Sequence, residues 1–250
     1  MTFSLFALAI ICIIVNGYQQ PLTENRYIMN TYMYILLALI TVSSTVIYLD
    51  SKTWEMNTMH FFGLFILSIT TMYATIITSP ENYIVKHLSW IIFLITIGTM
   101  IYPTAKIALM KGEFWNIILT LGCILGVLSI IAFRKPLGTF LSWGNMLTVA
   151  LSGLIIFEIF DILFNKQIDS YMVDIGFFTR SRIYAWIGIL VFSGFMLYDT
   201  QKIILHAKIY REKCESVIGI DQLMCVDYPN ESLGIFLDIV NLFSSLTRVS

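Results

Sequence analysis

Charge is what this sequence has least of. Asp, Glu, Lys and Arg together make up 12% of its 250 residues, about half the ~25% of a typical soluble domain. Hydrophobic residues reach 58% and the mean hydropathy is +0.81. That balance excludes an ordinary soluble core. Basic clusters are missing too: the formal net charge is -1, and no run of Lys and Arg offers a nucleic-acid surface. The chain has no phosphate-binding glycine loop, no Cys-x-x-Cys, no zinc motif and no Ser/His/Asp order. No enzyme chemistry and no resident cofactor are expected.

Histidine is scarce, with His60 and His87 opening apolar runs and His206 closing one; lone histidines at such edges read as satisfied polar residues. Of four cysteines, Cys12 and Cys123 sit in apolar runs as small core residues. Cys214 and Cys225 share a polar loop and can pair if that loop faces an oxidising space. Pro103 interrupts an apolar run and reads as a kink. Met1 to Val15 is apolar but lacks the basic start of a signal peptide, and no Arg-rich presequence follows. Residues 1–25 are therefore set apart, as an apolar segment of uncertain role, from a membrane domain over 26–250.

What the chain has in plenty is long apolar blocks. A spanning helix needs roughly 20 apolar residues. The blocks predict an all-α, polytopic membrane bundle of about seven helices. Their expected spans are Tyr27 to Leu49, Thr58 to Thr78, Leu88 to Leu109, Phe114 to Phe133, Leu137 to Phe164, Ile183 to Leu205 and Ser232 to Leu246. Trp90, Trp115, Trp143 and Trp186 each fall near the start of a span, where interfacial rings are expected. The last block is short and polar and reads as able to enter the bilayer without crossing it. Lys and Arg on alternating sides number eight against seven, so the positive-inside rule sets no orientation.

Two of the blocks contain an aspartate. Asp199 lies in Leu197-Tyr198-Asp199-Thr200-Gln201, and Asp238 in Leu233 to Asn241. An ionisable group inside a bilayer is costly and is by default a functional candidate. The two runs are joined by one loop, so the helices can be neighbours and the carboxyls can meet. Two carboxyls that close cannot both ionise freely and titrate as a unit. Such a pair can hold a proton, release it to admit a cation, and couple the two; calcium suits it, as a hard cation that takes oxygen ligands. Tyr198, Gln201 and Asn241 add nearby polar groups, with Lys202 at the membrane edge. Local pairing of Asp199 with Lys202 is the plainer alternative. Glu158 and Asp161, three residues apart on one helix face, could extend a cation path or simply mark the end of their span.

Tyr198-Asp199-Thr200-Gln201, together with Asp227-Tyr228 and the Leu-Asp-Ile-Val-Asn-Leu-Phe core of Leu237 to Phe243, resembles the sixth- and seventh-helix motifs of the transmembrane Bax inhibitor motif family. Thr31-Tyr32-Met33-Tyr34, Lys86-His87-Leu88-Ser89-Trp90 and Leu197 to Lys202 are similar to its mitochondrial inner-membrane branch. The resemblance implies a seven-helix bundle with a short, re-entrant last helix. It further implies cation leak or exchange, with calcium against protons the leading case, and an aspartyl pH-sensing pair at Asp199 and Asp238. The implied setting is the lipid bilayer of the mitochondrial inner membrane, or otherwise an endomembrane. The implied partners are cell-death or inner-membrane organising proteins. Two other classes stay open: a scaffold that does not transport, and an intramembrane aspartyl protease, whose Gly-x-Gly-Asp pattern Asp238 lacks.

Overall fold

The computed structural model describes Ala7, Ile11 and residues 21–164, 180–217 and 220–250. The Met1 to Val15 run and the body of the loop expected over Asn165 to Arg182 lie outside the described residues. Within them the chain is helical throughout: α1 (Glu24–Ser51), α2 (Thr58–Ile77), α3 (Tyr83–Met110), α4 (Phe114–Arg134), α5 (Gly144–Phe164), α6 (Arg180–Cys214), α7 (Ile220–Cys225) and α8 (Tyr228–Val249), with a single 3-10 turn at Leu141–Trp143. Six of these, α1 to α4, α6 and α8, are long and apolar enough to cross a membrane, and Leu141–Phe157 adds a shorter apolar stretch. At 1.5 Å per residue even the 20 residues of α2 reach ~30 Å, the thickness of a bilayer's hydrocarbon core.

Helix starts follow from polar side chains that accept otherwise orphaned N–H groups. Thr23 accepts from the Arg26 amide at 3.2 Å and Asn57 from the His60 amide at 2.7 Å. Asp227 does the same for α8, accepting from the Asn230 amide at 3.2 Å. That cap corrects the expected length of the last helix. α8 has 22 residues, because its first turn, Tyr228-Pro229-Asn230-Glu231, is helical although its polarity reads as loop; proline is tolerated there since first-turn N–H groups have no helical partner.

The chain forms two compact units. The first holds α1, α2, most of α3, the end of α6, α7 and the start of α8. Its core is aromatic: Tyr27, Tyr34, Trp90, Phe93, Tyr228 and Phe236 are all buried. Tyr34 lies between the rings of Trp90 and Tyr228, at 5.4 and 5.3 Å. Of the four tryptophans near span starts, Trp90 is buried in this core, at 2% exposure, whereas Trp115, Trp143 and Trp186 are exposed. The helices α1 and α3 approach closely at Gly98, where a Cβ would come within 2.9 Å of Thr45 Cβ. The second unit holds the end of α3, α4, α5, most of α6 and the rest of α8. Phe114 and Phe243 meet edge-on there at 6.0 Å.

Candidate functional site

α6 and α8 present the two intramembrane aspartates, and both residues belong to the second unit. The two helices can approach because α6 carries Gly188 opposite Ser245 of α8; an added Cβ would come 2.7 Å from the serine oxygen. Small residues at such contacts let membrane helices pack backbone to backbone. One helical stretch further along, Asp238 is buried at 5% exposure and its side chain lies in hydrogen-bonding contact with that of Asp199. Asp199 is half-buried.

The contact has a chemical condition. Two carboxylates have only acceptor oxygens, and Asp238 Oδ2 is buried without a donor. A proton between the two groups turns repulsion into a hydrogen bond. The arrangement can therefore hold one hydrogen ion, or offer both carboxylates to a cation.

The other candidates fall in different places. The Gln201 amide is buried and ties the link between α4 and α5: its oxygen accepts from the Phe140 N–H at 2.8 Å, and its nitrogen donates to the Pro136 carbonyl at 3.0 Å. Asn241 donates to the Leu237 carbonyl of its own helix at 2.9 Å. The Tyr198 ring packs over Gly144, where a Cβ would lie 2.8 Å away. Lys202 is exposed. Glu158 and Asp161 lie on α5, with their side chains outside the described residues. Among the described residues no group of three or more His, Cys, Asp or Glu gathers to hold a metal ion.

Sequence reasoning missed a second charged constellation, in the first unit. Lys86, 1% exposed, pairs with Asp227 and donates to the Thr78 carbonyl at 2.6 Å. Burial pushes the Asp227 carboxyl above the usual aspartate range. That effect outweighs the lowering by the Lys86 ammonium and the Asn230 amide, and nearby Glu231 adds to it. Around the pair, His206 meets Glu231 at 2.8 Å, Arg211 meets Glu24 at 2.9 Å, and the Asn30 amide donates to Tyr228 Oη at 3.2 Å. His87 is a satisfied polar group between Tyr34 Oη and the Tyr83 carbonyl, each at 2.9 Å. Lys86 and Asp227 stand 141 residues apart; both fall in stretches that carry the family resemblance, but nothing in the sequence pairs one with the other. The loop cysteines Cys214 and Cys225 form a disulfide.

Helices of spanning length, with a buried and a half-buried carboxyl brought together on two of them, define a polytopic helical membrane protein. Residues 24–249 match the family described as "Inhibitor of apoptosis-promoting Bax1", and the chain belongs to that Bax inhibitor family. It is similar to growth hormone-inducible transmembrane protein of Rattus norvegicus, with 28% identity over 163 residues covering 63% of this chain and 41% of that protein. The chain thus spans less than half the length of the curated relative it matches.

Proposed function

We propose that the protein mediates pH-sensitive, proton-coupled cation leak or exchange, with calcium as the ion, through the Asp199/Asp238 pair. The observation that carries this reading is the buried carboxyl contact itself, with Asp238 Oδ2 lacking a donor. Intramembrane acids mark ion and proton pathways because their burial is costly. When the shared proton is present the pair is closed by its own hydrogen bond. When it leaves, two negative charges face each other and draw a hard cation. Calcium takes six to eight oxygens; a pair supplying four at most suits an ion passing with part of its water rather than one held in place. Family membership supports a role in suppressing cell death. The likeness to the rat protein, together with the motifs shared with the mitochondrial branch, supports a mitochondrial inner-membrane setting and partners that organise that membrane.

The test is flux from calcium-loaded vesicles containing the purified protein. Wild type is expected to release calcium in a pH-dependent way, and Asp199→Asn and Asp238→Asn each to abolish the pH response. Unchanged flux and unchanged pH response in both variants would sink the reading.

A further inference from the structure

We propose that the Cys214–Cys225 bond is a redox clasp: a thiol reductant enters at Cys225, and opening the bond frees α7 and the segment that brings Asp227 to Lys86. The clasp is independent of the ion pathway.

Three observations in the first unit carry it. The bond joins the last residue of α6 to the last residue of α7. α7 has only six residues, and helices below ~12–15 residues are marginal unless something else holds them. The Gln222 amide donates to the Val217 carbonyl at 3.1 Å, inside the loop that the bond closes. The disulfide anchors α7 covalently to the long helix before it.

The second observation concerns the residues just after the bond. Asp227 comes two residues beyond Cys225 and has two tasks. It pairs with Lys86 of α3 and caps α8 through the Asn230 amide. Lys86 is wholly buried, and a buried charge deprived of its partner is strongly unfavourable. A clasp that fixes the approach of Asp227 thus acts on the docking of the whole α8 entry.

The third is access. Cys214 is fully buried at 0% exposure, whereas Cys225 is half-buried. Exchange needs a thiolate to reach a sulfur. The reductant's thiolate attacks Cys225 Sγ, the S–S bond breaks, and Cys214 leaves as a thiolate that takes up a proton. A second thiol of the reductant then displaces Cys225 from the mixed disulfide. The protein gains two electrons and two protons, and the reductant, a dithiol or a pair of monothiols, becomes its own disulfide.

The experiment uses the full chain in lipid nanodiscs, on a Cys12→Ser/Cys123→Ser background, with dithiothreitol as the reductant. Hydrogen exchange is followed by mass spectrometry. Reduction is expected to speed exchange of the amides over 226–231 by at least about tenfold, a local opening, while α1 keeps its protection. A Cys214→Ser/Cys225→Ser version should show the fast exchange without reductant and no further response. A limiting monothiol followed by acid quench should leave its adduct on Cys225. Equal protection of 226–231 in the oxidised and reduced protein, or an adduct mainly on Cys214, overturns the proposal; a general loss of protection that includes α1 does so as well, since it would make the bond a support of the whole unit.

Discussion

Asp238 and Lys86 are both charged-type side chains withdrawn from water, but their surroundings differ. Asp238 faces another acid, while Lys86 faces an acid and a carbonyl. The first arrangement needs a proton or cation to complete it; the second is complete. Removing one partner of a buried ion pair typically costs ~3–5 kcal/mol, whereas replacing both by apolar groups is often neutral or favourable. Lys86→Met or Asp227→Leu alone should therefore lower the melting temperature in detergent sharply, and the double variant should recover most of the loss. Stability tied to this pair varies with pH in a definite direction. The folded Asp227 carboxyl holds its proton more tightly than an ordinary aspartate, so its contribution to stability is present in acid and is lost as pH rises through its folded value. The melting temperature of wild type minus that of the double variant should fall as pH rises through that window. A flat difference would remove Asp227 as the titrating group. At this scale the sequence singles out Asp199 and Asp238, because each is an acid that interrupts an apolar run, and their side chains lie together. It was silent on the partners of Lys86 and Asp227, which are 141 residues apart, and on those of Gln201, whose bonds reach to Pro136 and Phe140.

Elements were legible in their existence and less so in their ends. Hydropathy finds the apolar middle of each span but stops at the first polar turn. The helices continue because capping side chains and helical hydrogen bonds satisfy polar turns as well as apolar ones. This is why α8 begins at Tyr228 and α3 at Tyr83, both earlier than the apolar runs. Close approach between helices is likewise invisible in one sequence. Gly98 shows the point: its missing Cβ leaves room for Thr45 Cβ and the Val42 carbonyl of α1. Neither is the flexible end of a side chain, so neither can yield easily. Gly98→Ala should destabilise the first unit by ~1–3 kcal/mol, as overpacking does. A thermal melt that matches wild type would show that α1 can shift without loss.

For the molecule as a whole, the low charge content and the repeated apolar blocks were enough to give the class, since a chain with this composition has few ways to bury its backbone polar groups in lipid other than as helices. Sidedness was not legible, because the basic residues divide almost evenly. The length of α8 adds an electrical property. Asp238 is the eleventh of its 22 residues, some 15 Å from either end at 1.5 Å per residue. A charge arriving at that depth has crossed roughly half of the transmembrane voltage, worth about 1.2 kcal/mol per elementary charge at 100 mV. On the proposed transport reading, ion currents should therefore grow with membrane polarisation, even at equal ion concentrations on both sides. An energised membrane would drive the carboxyl pair harder than a depolarised one, and dissipating the potential would throttle it without any change in pH.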